Sequence, residues 1–375
     1  MATTVMEKRT ARFPSLVRAF KSVNYAAQQY GRMGFYLANY MAGARVGGRM
    51  PEGTFDAPDG ETKIKGPGWP ALLADAQGLM RRERRAMARG DYEYPENGLQ
   101  PLKTFMKVAD YLRDTAVVGD RRRAAQHQEV FASLVAERER YPRYYLQNFH
   151  YQSDGYFSKA SAKRYDFQVD VLFTGVADAM RRRARPWLNE VLRTPKQARL
   201  THADFACGTG RFLGELARNY PDASLIGVDL SPAYLDLAAK ELPKRNGIRL
   251  IHANMEATPL DTASLDSATV IFAFHELPKK ARSNAVKELS RVLKPGGRLV
   301  IVDTLQLGDH AAYDGLLHVF PKGFHEPYYA EYVASDQDGL MAKHGLQKAG
   351  QERAFLSKVS VYDKMLEIGS SVPKP

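Results

Sequence analysis

The hydrophobic period of the chain changes near residue 199. Ahead of that point apolar side chains recur at three- and four-residue steps, as in Val108, Leu112 and Val117, or Val130, Leu134 and Val135, with charged residues opposite. This spacing gathers them on one face of a helix and predicts helices over about 71–90, 100–115 and 121–140. A longer pattern from Ser158 to about Leu192, through Val169, Leu172, Phe173, Val176 and Met180, predicts one more helical stretch that stops at Thr194-Pro195. Residues 51–70 (PEGTFDAPDGETKIKGPGWP) concentrate Pro, Gly and acids and read as a loop.

From Arg199 onward, short apolar runs at 200–206, 223–229, 248–253, 267–274 and 297–303 alternate with helical stretches at 210–219, 231–243 and 279–293. Strands that alternate with helices imply a parallel sheet covered on both faces. Two later runs, QKAGQERAFL and KVSVYDK, suit a terminal hairpin of that sheet. The expected organisation is a mainly helical region over 1–150, a helical lead-in over 151–195 and an α/β domain over 196–375.

Composition narrows the class. Of 375 residues, 44% are hydrophobic, 26% charged and 10% aromatic, which lies inside the globular range and excludes disordered, collagenous and disulfide-scaffold chains. Cys207 is the single cysteine, so neither an intramolecular disulfide nor a cysteine-based zinc cluster can form. That usage fits a reducing compartment, and a cytoplasmic location is the expectation. No apolar run approaches the roughly 18 residues that span a bilayer, and MATTVMEKRTARF lacks the apolar core of a secretory signal.

The net charge is +12, and residues 1–150 hold 24 basic against 16 acidic side chains, or +8 of it. Residues 1–50 carry eight basic side chains and one acid, Glu7, among Phe20, Tyr25, Tyr30, Phe35, Tyr36 and Tyr40. Four readings stay open for this start. It suits an ordinary packed helix, an organellar presequence, a groove for single-stranded nucleic acid, or a basic amphipathic helix (Leu16, Val17, Phe20 and Val23 beside Arg18 and Lys21) for an anionic membrane surface and a lipophilic substrate.

The sharpest local motif is Asp204-Phe205-Ala206-Cys207-Gly208-Thr209-Gly210, where the first strand turns into the first helix. Glycines there bring backbone amides close to a ligand at a helix N-terminus, and Asp204 can accept from an amine. A dinucleotide fingerprint would need glycine at 213, where Leu213 stands and Gly214 comes one residue late. Asp229 closes the second strand, nineteen residues past Gly210, where a carboxylate can bind both ribose hydroxyls. The pattern therefore points to an adenosine-type ligand without a well-made pyrophosphate site. Taken singly, Asp204 and Asp229 also read as capping carboxylates, and Cys207 as a small buried thiol.

In order and spacing, ADFACGTG, IGVDLS, ANMEATPL, FAFHELP, LSRVLKPGG and LVIVD resemble the S-adenosylmethionine-binding core of class I methyltransferases. They are similar above all to the ubiquinone/menaquinone (UbiE-type) C-methyltransferases and their small-molecule relatives. Tyr165-Asp166, Gly175 and Arg181 to Arg183 resemble the helical lead-in of that group, so the likeness covers 160–305 and says little about 1–140. It implies a Rossmann-like sheet of seven strands with a helical N-terminal extension, and S-adenosylmethionine as cofactor. Cofactor contacts are implied for Tyr165, Asp204, Ala206, Gly208, Thr209, Gly210, Asp229, Leu230, Asn254, Met255, Glu256 and Phe274.

The resemblance further implies that His275 borders the reacting methyl. His275 and His325 are the candidate bases, and with Glu326, Tyr328 and Tyr329 of HVFPKGFHEPYYAEY they are the candidate substrate contacts. No metal site is read from ligand spacing. The lead-in lacks the Trp associated with the quinone enzymes, which leaves a quinone precursor unassigned as substrate. FAFHEL stands where methylases of exocyclic base amines carry an Asn/Asp-Pro-Pro-aromatic run. The expected reaction is methyl transfer to carbon or oxygen of a small lipophilic or aromatic acceptor. Its alternatives are nucleic-acid methylation, or use of the bound sulfonium without methyl transfer. Residues 1–150 are expected to cover the substrate side, join two subunits as a homodimer, or touch a membrane.

Overall fold

A computed structural model describes residues 2–48, 55–56, 63–64, 66–95, 101–193, 199–245 and 247–366. Seven strands build one sheet: β1 (Thr201–Phe205), β2 (Ser224–Asp229), β3 (Ile248–His252), β4 (Leu265–Ile271), β5 (Leu293–Thr304), β6 (Leu346–Ala354) and β7 (Ser357–Lys364). Their order is β3-β2-β1-β4-β5-β7-β6. The first five run parallel, while β7 is antiparallel to both β5 and β6. The chain order reverses direction between β1 and β4, so the loops after β1, β2 and β4 open a crevice at the carboxyl edge, the place where open α/β sheets bind ligands. Ala203, Phe205, Val228, Ala268 and Val270 are buried, as strands covered on both faces must be.

The covering helices that connect these strands are α8 (Arg211–Asn219), α9 (Pro232–Glu241) and α10 (Lys279–Val292). After β5 come α11 (Ala311–Gly323), α12 (Tyr329–Val333) and α13 (Gln337–Lys343). The N-terminal part is helical, with α1 (Ala2–Val46), α2 (Trp69–Arg89), α3 (Pro101–Ala124) and the short α4 (Glu129–Ser133). Within 51–70, Phe55–Asp56 pairs antiparallel with Lys63–Ile64, and α2 begins at Trp69.

Three helix boundaries differ from the pattern-based expectation, and the helix expected over 121–140 is broken after Ala124, with Ala125 at φ 51°, into the end of α3, α4 and a 3-10 segment (Val135–Arg140). Instead of a break at 115–121, α3 runs unbroken to Ala124, because Gly119 lies against α1 so closely that a Cβ there would sit 2.4 Å from the Gly47 carbonyl oxygen. Tertiary contact carries the helix through a weak position. Conversely, the long 158–192 pattern breaks into α5 (Lys159–Leu172), α6 (Ala177–Arg182) and α7 (Arg185–Leu192). Thr174 and Gly175 have φ of 49° and 80°, and the Gly175 amide donates to the Asp170 carbonyl at 2.7 Å. A Cβ at Gly175 would meet the Tyr36 ring at 2.9 Å, so the turn is also where α1 packs.

Ion pairs tie α2 and the lead-in helix α6 to the α/β domain, and the first of them is fully buried. Arg182 is fully buried and donates to Glu83 of α2 and, at 2.9 Å, to Glu215 of α8. Arg183 forks onto Glu352 of β6 at 2.9 and 2.8 Å, and Arg353 onto Asp75 of α2 at 2.6 and 3.0 Å. Of the basic amphipathic stretch, Phe20 and Val23 are 73% and 64% exposed, while the side chains of Leu16, Val17 and Arg18 lie outside the described residues. Among the described residues no helix is long and apolar enough to cross a membrane.

Candidate active site

The loop leaving β1 turns through positive φ at Ala206, Gly208 and Gly210. This brings the Gly208 amide to Asp229 Oδ2 at 2.8 Å, while the Ser231 amide donates to Asp229 Oδ1 at 2.8 Å. Two backbone donors thus fix the Asp229 carboxylate at the end of β2, although burial pushes its pKa up. Asp204 accepts from the Thr269 hydroxyl at 2.6 Å, and burial pushes its carboxyl up to about 7. Thr209 donates to Asp166 at 3.1 and 3.0 Å, which aims its backbone at the same space. Burial also raises the Cys207 thiol, so this cysteine stays protonated and unreactive.

These groups surround a cavity of about 1,040 Å³. Its lining includes Tyr165, Asp204, Ala206, Gly208, Thr209, Asp229, Leu230, Asn254 and Met255, nine of the twelve residues expected to contact a cofactor. Gly210 stands behind them, where a Cβ would be 3.0 Å from the Ala238 Cβ. Glu256 turns aside and accepts from Tyr144 at 2.7 Å, Asn254 at 3.1 Å and Asn284 at 2.8 Å. Phe274 is buried in the core while its amide donates to Asp303 at 2.8 Å, and the ring that reaches the cavity is Phe272, at φ 54°.

A second cavity of about 660 Å³ adjoins the first and shares Tyr165, Phe272 and Glu276 with it. Leu172, Leu316, Leu317 and Phe320 make it apolar, and His150, His275, Glu276 and Glu326 supply its charge. His275 Nδ1 donates to Asp303 Oδ1 at 2.5 Å. Burial works against the charge on this ring, but Asp303, then Glu326 and Glu276, hold its pKa up at about 10. Burial and the neighbouring Glu326 push Glu276 up to about 7. Tyr329 also lines this cavity and exchanges a hydrogen bond with Thr304 at 2.8 Å.

His325 and Tyr328 line neither cavity. His325 lies 2.7 Å from Gln147 and stacks on His127 at 4.0 Å, and burial together with His127 pushes it down to about 4. A third cavity of about 860 Å³, walled by α1, α3 and α5, shares His150, Tyr165, Val169 and Leu172 with the second.

Sequence reasoning missed the segment that roofs the first cavity. Tyr144, Tyr145, Phe149 and Tyr156 all line it, from the aromatic-dense run YPRYYLQNFHYQSDGYF at 141–157. The density of aromatics around His150 was the available signal, but the family motifs begin only at Tyr165.

The first cavity carries Asp204, Asp229 and Glu276, and its arginines, Arg181 and Arg211, are engaged with Asp178 and with Asp170 and Asp178 respectively. Such a lining suits a ligand with cationic groups and a ribose, and it disfavours a pyrophosphate. Residues 203–297, from within β1 to the turn inside β5, match the family model described as a methyltransferase domain. This stretch is similar to a methyltransferase domain. Around it, 104 residues are 40% identical to the ubiquinone/menaquinone biosynthesis C-methyltransferase of Syntrophotalea carbinolica, covering 28% of this chain and 43% of that protein. Over 143 residues it is 34% identical to the demethylmenaquinone methyltransferase of Deinococcus radiodurans, covering 38% and 56%. The chain spans about half the length of the curated relatives it matches. A solved S-adenosylmethionine-dependent methyltransferase of Methanosarcina mazei is 22% identical with a TM-score of 0.38, covering 47% of this chain and 98% of that one.

Proposed function

We propose that the chain transfers a methyl group from S-adenosylmethionine to a carbon or oxygen of a small lipophilic or aromatic acceptor. The observation that carries this reading is the shared wall: Tyr165, Phe272 and Glu276 border both the carboxylate-lined cavity and the apolar one. A ligand in each would meet at that wall, as in-line transfer requires. When bound, the cofactor supplies a methyl already activated on a sulfonium. The residues then have three tasks. Asp229, held by the Gly208 and Ser231 amides, accepts from the ribose hydroxyls, and Asp204 faces the ammonium. The aromatic roof from Tyr144 to Tyr156 excludes water. His275, oriented by Asp303, turns its Nε2 toward Glu276 and Glu326, at 4.0 Å from each, where it can donate to an oxygen of the acceptor.

In this reading residues 1–150 and the lead-in 151–195 build the acceptor side, since His150, Val169 and Leu172 join the second cavity to the third. The exposed Phe20 and Val23 of α1 and Phe105 and Met106 of α3 support peripheral contact with an anionic membrane, from which a lipophilic acceptor would come. The deciding experiment supplies labelled S-adenosylmethionine and a lipid and quinone extract, with product identification by mass. Label in a nucleic-acid fraction alone would replace this reading with the base-methylating one, and cofactor binding without any transferred label would leave the non-transferring use of the sulfonium. Flotation with anionic vesicles tests the surface: salt-sensitive binding is expected, and a dimer that ignores vesicles would assign the apolar faces to a second copy.

A further inference from the structure

In the wall of the acceptor cavity, reaching the cofactor cavity only through Glu276, lies a cluster that the methyl-transfer reading leaves unexplained. His150, Glu276 and Glu326 each present a ligating atom, and these atoms all lie within 4.8 Å of one another. They come from three distant segments: a 3-10 turn (Phe149–Tyr151) ahead of α5, the turn after β4, and the loop between α11 and α12. The His150 Nε2 contacts Glu326 Oε1 directly and stands 3.8 Å from Glu276 Oε1. Glu326 is fully buried as a side chain, yet its Oε2 has no hydrogen-bond partner. An orphaned carboxylate oxygen in a buried site costs on the order of 1–3 kcal/mol or more, so its retention calls for a ligand.

The backbone is also held for this purpose. His150 and Tyr151 both sit at φ 56°, unfavourable for residues with a Cβ, and the His150 amide is tied to the His325 carbonyl at 3.2 Å. Glu276 is anchored in turn by the Tyr156 hydroxyl at 2.6 Å.

We infer that His150, Glu276 and Glu326 bind one divalent cation of the first transition row, such as zinc or manganese, with coordination positions left open toward the acceptor cavity. Ligands about 2.0–2.2 Å from one ion stand roughly 3–4 Å from each other; His150 and Glu276 already stand 3.8 Å apart, all three ligating atoms lie within 4.8 Å of one another, and His150 and Glu326 must part to admit the ion. Two carboxylates balance the charge of the ion, and one imidazole with two carboxylates selects a borderline cation over a soft one. His275 remains outside the ligand set as the neighbouring donor, kept in place by Asp303. The open positions would hold an oxygen of the acceptor beside the cofactor, because Glu276 lines both cavities. This last assignment rests on the methyl-transfer reading, whereas binding of the ion does not.

The test uses the full chain, stripped with a chelator and dialysed. Calorimetric titration with zinc chloride, and manganese binding followed by electron paramagnetic resonance, should both report one ion per chain. Glu326→Gln and His150→Ala should each weaken binding about tenfold or more, while His325→Ala, next to the cluster but outside it, should not. Binding of S-adenosylhomocysteine to the metal-free protein should be unchanged in Glu326→Gln and His150→Ala, which shows that they fold. If the stripped protein binds S-adenosylhomocysteine but neither ion, the cluster is a charge-compensating network and the inference is overturned. Ion binding that survives both variants overturns it as well. Ion binding by the unsubstituted chain that is lost in both variants while their circular dichroism and thermal melts stay unchanged, together with no affinity of the unsubstituted chain for S-adenosylhomocysteine, would keep the metal site and discard the methyl-transfer reading.

Discussion

The carboxylate-lined cavity and the apolar cavity share a wall but are assembled in opposite ways. In the first, the decisive carboxylates Asp204 and Asp229 stand at the ends of adjacent strands and are held by donors from the same crevice: the amides of Gly208 and Ser231, and Thr269 on the next strand. In the second, His150, His275, Glu276, Asp303 and Glu326 converge from segments up to 176 residues apart. Carboxylates placed in the first way are carried by the sheet and its loops, although the 141–157 aromatics still roof that cavity. The charged cluster of the second exists only when the segment around His150 and the α11–α12 loop meet.

The strongest test of this contrast removes the docking. Arg182→Ala leaves Glu83 and Glu215 buried without their cation and should cost about 3–5 kcal/mol, read as a lowered denaturant midpoint. A loss under about 1 kcal/mol would mean that this buried pair does not hold α2 in place. Next in size, Asp229→Ala should weaken S-adenosylhomocysteine binding by about 1.5–3 kcal/mol in calorimetry, with the fold intact. Unchanged affinity would remove Asp229 from the ribose.

Leu172→Trp addresses the other side, since Leu172 lines the second and third cavities and not the first. Steady-state kinetics should show a penalty of about 2 kcal/mol in acceptor kcat/KM with cofactor affinity unaltered. Equal losses for both ligands would erase the distinction between the cavities.

A smaller effect follows from Asp204. Its carboxyl is raised to about 7 by burial, from an ordinary value of 3.8, so in the free chain it holds its proton through weakly acidic pH. The raised value favours the protonated form of the folded state: the contribution of this group to unliganded stability is present below pH 4 and is lost as pH rises from about 4 to 7. A ligand ammonium favours the carboxylate, so affinity should rise with pH, by about tenfold between pH 6 and 8, and then level off. Asp204→Asn should flatten the profile, and a slope that persists in that variant would assign the proton elsewhere. The smallest expected change is for His325→Ala. With His325 against Gln147 and His127 and outside both cavities, turnover should move by less than about twofold. A large loss would return His325 to the reaction.

The sequence by itself determined the α/β alternation, the five parallel strands and the terminal hairpin, and it named nine residues that line one cavity. Those features are written in neighbours: apolar runs of strand length, turn glycines at positive φ, and carboxylates that end strands. Even there the post-strand turn shifted the outcome by two residues, since Phe272 takes the left-handed conformation and lines the cavity, while Phe274 goes to the core. Only the tertiary structure decided that the 141–157 aromatics roof the site, that Glu256 clamps Tyr144 instead of lining the cavity, and that His150 meets Glu276 and Glu326. The physical reason is that hydrogen-bonded strands and caps select their partners locally, whereas apolar burial, which docks one helix on another, is non-directional and names no partner in the sequence.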